Sequence, residues 1–479
     1  MKIQQKNRTQ IYLASFIFIL LNTISTFYGY YYVNLISIAL IFIYLAFFNF
    51  DKLFLAAVFL TPLSIPLDEF FNKLEFNLSI PSEGIFAILL LIIILKFIKS
   101  KEFINHEILK HPVSFAIYFY IFWIFITSIT SSLPIVSFKF LLVKLWFIIP
   151  VYFFSITLFY HKKNINRFLW LYILSLTIVI IYTISRHLSY GFYDKIAAHI
   201  VMSPFYNDHT SYGAILAMFV PVLGYFSFSK ETKKIYKAFI ILLMIIFILA
   251  LILSYTRAAW ISLVVALLFG LIIYLKINIK LVIFSSFVLI FILFTYRIEI
   301  IDKLNKNKQD SSTELSEHVK SISNIATDAS NLERINRWNS AIKMFGEKPV
   351  LGWGPGTYMF IYAPFQMSKD KTIISTNFGE VGNAHSEYIG PLAEQGIFGL
   401  ISFLIIIFLT IKTSLNVYSK SKQKDVKLLV LTLLIALTSY FVHGLLNNYL
   451  DTDKASVPFW GFIAIIVYLD IAQKNNSLK

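Results

Sequence analysis

From its N-terminus the chain alternates between long apolar runs and short polar connections. With a window of about 19 residues, apolar runs fall at 11–27, 31–49, 53–67, 82–98, 113–131, 138–160, 167–187, 210–229, 236–254, 258–275, 279–296, 396–415, 427–446 and 457–472. About 20 apolar helical residues cross the hydrocarbon core of a bilayer, so most of these runs predict a membrane span. The third is short and holds Pro62 and Pro66, which predicts a broken or re-entrant segment. The pattern predicts an all-α polytopic membrane protein of about 12–14 transmembrane helices. One large loop, 297–395, separates the eleventh and twelfth runs. Before the first run stand Lys2, Lys6 and Arg8 without a small-residue cleavage pattern, which predicts a retained first helix rather than a cleaved signal.

The connections carry the orientation. One set is basic: Lys52, Lys96 to Lys110, Lys162, Lys163 and Arg167, the lysines of 230–237, Lys276 and Lys280, those of 420–427, and Lys474. The alternate set is lysine-poor or acidic, and it includes the long loop. By the positive-inside rule both termini are cytoplasmic and the long loop faces outward. Chemistry performed there cannot draw on cytoplasmic nucleotides and needs a donor already carried across the membrane.

Within the loop, 303–332 is polar and predicts a linker. From Leu332 the pattern changes. Leu332, Ile335, Trp338, Ile342 and Phe345 recur at helical spacing, predicting an amphipathic helix on the outer surface, with Asn331 as candidate N-cap and Glu333 favourable at the helix start. Pro349 ends it. Gly352, Gly354, Pro355 and Gly356 then predict a tight turn whose backbone amides can approach a ligand. The loop closes with NAHSEYIGPLAEQG, a helix expected to break near Gly390-Pro391 and near Gly396.

Composition supports the membrane class. The chain has 479 residues, 58% hydrophobic and only 14% charged, with mean hydropathy +0.72; a soluble domain has about 25% charged residues. The net charge of +16 reads as topology and not as a nucleic-acid footprint, because no basic patch interleaved with aromatics lies outside the apolar runs. Cysteine is absent, which excludes disulfides, thiolate metal sites and cysteine nucleophiles. There is no HExxH and no DxD in the outer connections apart from the weak D-T-D of Asp451 and Asp453, so no metal site is expected.

The candidate chemistry is cationic and imidazole-based. Arg257 sits at a tight junction between two apolar runs; it is either a snorkelling anchor beside Trp260 or an anion-binding group with a partner. Arg334 and Arg337, three apart, share nearly one helix face and carry the guanidinium groups that grip phosphate oxygens; the alternative is a solvated face. His385 is a candidate general base, though a lone loop histidine is ordinarily polar surface. Glu387 or Glu394 is a candidate to orient its ring. His209 and His443 are candidate cavity-lining residues.

Several blocks resemble the O-antigen ligase/polymerase superfamily. RINRWNSAIKMFGEKPVLGWGPG matches its signature at Arg334, Trp338, Pro349, Gly352 and Gly354. NAHSEYIGPLAEQGIFGL is similar to its His-containing block at Ala384, His385, Glu387, Tyr388, Leu392, Ala393, Glu394, Gly396 and Gly399. SYTRAAW is similar to its arginine block at Ser254, Arg257, Ala259 and Trp260, and SPFYNDHTSYG to a further stretch in which His209 stands where Asn is usual. The resemblance implies N-terminal transmembrane helices at 1–200, a ligase-like core at 201–411 and C-terminal helices at 412–479. It further implies a GT-C-like, metal-independent inverting glycosyltransferase with no cofactor, in the bacterial inner membrane, with its active site periplasmic. The donor would be an undecaprenyl-diphosphate-linked glycan and the acceptor lipid A–core or another glycan. Arg257, Arg334 and Arg337 would bind the diphosphate, His385 would be catalytic, and Glu387, Tyr388, Gly352 and Gly354 would support the site. A polymerase of the same superfamily or a protein O-oligosaccharyltransferase shares these blocks. A transporter is disfavoured by the absence of repeat symmetry.

Overall fold

In a computed structural model of the chain, the described residues are 2–29, 40, 42, 44–46, 48–69, 78–100, 103–278, 295, 296, 329–368, 371, 375 and 382–475. The expected linker 303–332 lies outside them apart from its last residues, as do most of the runs 31–49 and 279–296 and the side chains of Asn331 and Leu332. The chain divides into two compact units, Met1–Ala57 and Val58–Lys479. In the first, α1 (Lys2–Phe27) is a single helix covering the first apolar run.

Helix α2 (Phe50–Leu60) has 11 residues. At 1.5 Å per residue it reaches about half the hydrocarbon thickness, so the third run does not span. It gives way to a turn and to an antiparallel pair, β1 (Ile65–Pro66) with β2 (Ser79–Ile80), in the register Ile65 opposite Ile80. Helix α3 (Ser82–Lys99) follows and carries Glu83, Lys96 and Lys99.

Among the described residues, nine helices are long and apolar enough to cross a membrane. They are α4 (Pro112–Ile129), α5 (Pro134–Phe159), α6 (Lys163–Tyr190), α7 (His209–Phe228), α8 (Lys234–Leu253), α9 (Arg257–Tyr274), α11 (Ile389–Lys420), α12 (Lys424–His443) and α13 (Asp453–Lys474). Between α9 and α11 lies α10 (Ala329–Glu347). Five of the fourteen expected runs give no such helix. One is half-length, two lie largely outside the described residues, α1 begins with a polar stretch, and α3 has three charges. The result is an all-α polytopic membrane protein.

α13 is buried from Asp453 to Ala472, as a helix apolar nearly all round requires. It packs against α11, α12 and α5, the last locally widened into a π turn over Ile149–Phe154 behind Pro150. α12 packs on α7 and α9, and α4 on α11. By contrast α8 and α9 expose rows of leucine, isoleucine and valine such as Leu242, Ile245, Leu249, Val264 and Leu268, the surface a bilayer would cover.

The connections sort into two ends. One gathers the basic connections: the Asp425 carboxylate at the start of α12 accepts from Ser229 Oγ (2.8 Å) and the Lys230 amide (2.9 Å), and Lys162 pairs with Glu231 at 3.8 Å. The other gathers the turn after α4, the α6–α7 connection, the α8–α9 junction, α10 with its following loop, and the α12–α13 turn. Its ties include Thr256 Oγ1 donating to His209 O (2.8 Å), Ser132 N to Trp353 O (2.9 Å) and Tyr449 N to the Glu387 carboxylate (2.7 Å).

Candidate active site

α10 is amphipathic, and part of its apolar stripe faces outward. Ile335 and Ile342, both expected on the apolar face, are exposed. The buried stripe is Glu333, Asn336, Arg337, Ser340, Ala341 and Met344, one helix face at 3.6-residue spacing. Its lower part, Ala341 and Met344, packs with Tyr358, Tyr362, Ala384 and Ala393. Its upper part is polar and builds the site.

There Arg337 is clamped. Its Nε donates to Glu333 Oε1 at 2.9 Å, and Nη1 donates to Asn383 O at 3.1 Å and meets His385 Nε2 at 3.0 Å. Its guanidinium also stands over the Tyr362 ring, 5.9 Å from the centroid. A buried ion pair needs its remaining lone pairs satisfied. Ser375 Oγ supplies one such bond to Glu333 Oε2, and Asn336, itself bonded to Gln366 (2.8 Å) and Ser375 (3.2 Å), adds a longer one. Gly382, at φ 111°, lets the loop lie against the guanidinium: a Cβ there would sit 1.9 Å from Arg337 Nη1.

His385 itself has φ 47°, a left-handed conformation uncommon for a side-chain-bearing residue. Its amide donates to Asn383 Oδ1 at 3.0 Å. A guanidinium N–H only donates, so Nε2 accepts and the neutral ring carries its proton on Nδ1. Burial first, then the charges of Arg337 and Arg334, lower the His385 pKa to about 4, with Asp208 and Glu333 opposing. The ring is therefore neutral at physiological pH.

Arg334 lies one helical turn before Arg337 and is half-buried. Its charge is felt at His209, His385, His443 and Tyr449, so it lies near all four. Arg257 opens α9 at the same end, next to Thr256, which is bonded to His209. His199 and His209 stack at 4.0 Å.

The supporting residues hold backbone in place. Glu387 Oε1 accepts from Tyr440 Oη (2.7 Å) and from the amides of Tyr449 (2.7 Å) and Leu450 (2.9 Å), while the Glu387 amide donates to Gly444 O (2.8 Å). Burial pushes its carboxyl above the usual range; Lys144 and these donors pull against that shift. Lys144 completes the clamp, donating to Leu450 O at 2.7 Å. Tyr388 Oη donates to Phe441 O at 2.9 Å. Glu394 accepts from the Tyr358 amide at 2.9 Å. Neither Glu387 nor Glu394 orients the His385 ring, as the sequence had suggested; Arg337 occupies that position.

The glycine turn also departs from expectation. Gly352 N donates to Lys348 O (3.1 Å) and Gly354 N to Glu394 O (2.7 Å), so both amides are consumed within the chain. The close approach is to protein: a Cβ at Gly352 would lie 2.3 Å from Glu394 C, and one at Gly354 1.9 Å from Ser131 Oγ. The turn anchors α10 to the break at Gly396 (φ 68°, ψ −165°) in α11, the only one of the two expected breaks that forms.

Asp208 was not singled out from the sequence beyond its place beside His209. It caps α7, its Oδ1 accepting from the amides of Thr210 and Ser211, both at 2.7 Å, and Tyr449 Oη lies 3.3 and 3.4 Å from its two oxygens. The Glu333–Arg337 pair was legible as an i, i+4 spacing. Asp208 with Tyr449 was not, since 241 positions separate them.

Fold and site together define a multi-pass helical membrane protein with a buried arginine–histidine site at one end of its bundle. Residues 242–404 match the family described as O-Antigen ligase, a span that includes Arg257, Arg334, Arg337, His385 and Glu387. The match covers roughly a third of the chain and supports its resemblance to the O-antigen ligase/polymerase superfamily. A search of curated proteins finds no match.

Proposed function

We propose that the protein transfers an undecaprenyl-diphosphate-linked glycan to lipid A–core, at the outer face of a bacterial inner membrane and with both termini cytoplasmic. The observation that carries the reading is the pairing of Arg334 with a neutral His385 held by Arg337. In the reaction the acceptor hydroxyl oxygen bonds to the anomeric carbon as the bond from that carbon to the diphosphate breaks. The electron pair leaves on the diphosphate, and Arg257 and Arg334 stabilise its growing charge. The proton of the hydroxyl passes to His385 Nε2, whose lone pair Arg337 occupies until the acceptor replaces it. Attack opposite the leaving group inverts the anomeric centre. Arg337, its charge balanced by Glu333, positions the base beside the diphosphate.

A deletion strain tests the reading through its lipopolysaccharide profile. Long carrier-linked glycan above bare core is the expected outcome. Core bearing a single repeat unit would assign the polymerase activity of the same superfamily instead. In the purified protein, His385→Ala is expected to lower transfer by about 10²–10⁴-fold with expression unchanged; near-normal transfer would remove His385 from the role of base.

A further inference from the structure

At the basic end of the bundle, away from the arginine–histidine site, the start of α6, the end of α7 and the start of α8 line a groove of about 430 Å³. Small-molecule sites occupy about 300–1,000 Å³. All three helices give this groove the same polarity. Asn166 near the start of α6, Ser229 after α7 and Lys233 before α8 stand at its rim. Trp170, Phe226, Phe239 and Ile240 line it one to two turns further into the same helices. From Lys233 to Ile240 the wall descends about 10 Å at 1.5 Å per residue. The floor is fixed: Phe226 and Ile240 are buried, and the Trp170 and Phe226 rings pack with centroids 4.8 Å apart.

The apolar wall does not end inside the groove. Phe239 is 57% exposed, and at helical spacing it continues into Leu242, Ile245 and Leu249, all exposed along α8. The wall thus runs into the row of side chains that a bilayer would cover. The rim is cationic. The two carboxylates nearby are engaged, Asp425 by Ser229 Oγ (2.8 Å) and the Lys230 amide (2.9 Å), and Glu231 by Lys162 at 3.8 Å. Lys233, Lys234 and Lys237 form no ion pair among the described residues. Helix α8 also begins at Lys233 without a side-chain cap, so the positive end of its dipole lies at the same rim.

A soluble anion here would leave the aromatic floor in water, and a purely apolar chain would leave the lysines uncompensated. A phosphate headgroup carrying an acyl chain answers both. We propose that the groove holds an anionic phospholipid, its phosphate at Lys233 and the start of α8, and its acyl chain along Trp170, Phe226 and Phe239. Basic pockets between transmembrane helices on the cytoplasmic side bind such headgroups, and the proposed orientation puts this end there. The inference is independent of the glycosyl-transfer reading.

Photo-crosslinking of the purified full-length protein in detergent micelles tests it. The probes are phosphatidylglycerol and phosphatidylcholine with the same diazirine-bearing acyl chain, and the labelled peptides are mapped by mass spectrometry. Phosphatidylglycerol should label segments 166–170 and 225–240 more strongly than phosphatidylcholine does. Lys233→Gln should lower the phosphatidylglycerol labelling by about fivefold, and the double change with Lys234→Gln by about 25-fold, with phosphatidylcholine labelling unchanged. Phe239→Ser, a change at an exposed wall position, should lower labelling by both lipids. Equal labelling by the two lipids, or phosphatidylglycerol labelling unaltered by Lys233→Gln, overturns the headgroup assignment and with it the proposal. Labelling confined to other segments overturns the groove as the site. Labelling that disappears as the protein dimerises at higher concentration gives the groove to a second copy of the chain and likewise overturns the proposal.

Discussion

The two ends of the helical bundle use charge in opposite ways. At the basic end, the Lys162–Glu231 pair is 3.8 Å apart with both side chains about half exposed, and an open groove of about 430 Å³ is floored by Trp170, Tyr225, Phe226 and Phe239 with Lys233 at its edge. Such exposed pairs contribute at most about 1 kcal/mol, and their positions are set by topology. At the other end Arg337 and Glu333 are buried, bonded at 2.9 Å, and enclosed by further polar partners. The desolvation of buried charges is expensive, and the hydrogen bonds around this pair offset it. The groove at the basic end and the densest buried chemistry therefore lie apart: exposed charge is cheap to place, while scarce buried charge reports a site.

Mutations should break this contrast in order of burial. Arg257→Ala is expected to reduce transfer most among the α9 residues, by about 10²–10³-fold if it stabilises the leaving group, while Lys233→Ala at the groove changes it less than twofold, as measured by product formation on lipid A–core. Glu333→Gln leaves the Arg337 charge buried and uncompensated; thermal or denaturant unfolding should show a loss of about 3–5 kcal/mol. Gly354→Ala forces a Cβ against Ser131 Oγ at a φ of 115°, which should cost about 1–3 kcal/mol without altering acceptor selectivity. Lys162→Ala, the control, should cost under about 1 kcal/mol.

The pH dependence sharpens the same comparison. His385 is held down to about 4 from an ordinary 6.5 by burial and by the two arginines. The unfolded chain binds the proton more readily than the native one between these values, so the stability contributed by the neutral ring is complete above about pH 6.5 and declines as the pH falls toward 4. Arg337→Gln removes one depressing charge. The acid limb of the kcat/KM profile should then move upward in pH; an unmoved limb would show that Arg337 does not control the histidine.

Much of the fold was legible because membrane spans and lysine asymmetry are long-range patterns that single residues cannot disguise. The broken third segment followed from Pro62 and Pro66. Periodicity marked Ile335 and Ile342 as part of an apolar stripe; it did not say which face of α10 is buried, and the structure turns these two outward and leaves Glu333, Asn336 and Arg337 inside. The arginines and His385 were legible by type and by resemblance. Their partners were only partly so. Glu333 to Arg337 is a helical spacing, but Arg337 to His385 and Asp208 to Tyr449 are joined by tertiary structure, and the glycine turn's amides could not be assigned to protein or ligand before their acceptors were known.

The central claim is that the arginine–histidine end is a glycosyl-transfer site acting on a carrier-linked diphosphate. Its most direct test is release of undecaprenyl diphosphate by the purified protein in nanodiscs, given the carrier-linked glycan and lipid A–core with EDTA present and no nucleotide. The account predicts release in step with glycan transfer, and a rate about 10²–10³-fold lower in Arg334→Ala with an unchanged melting transition. No release from the wild type, or an Arg334→Ala rate within twofold of it, would contradict the account.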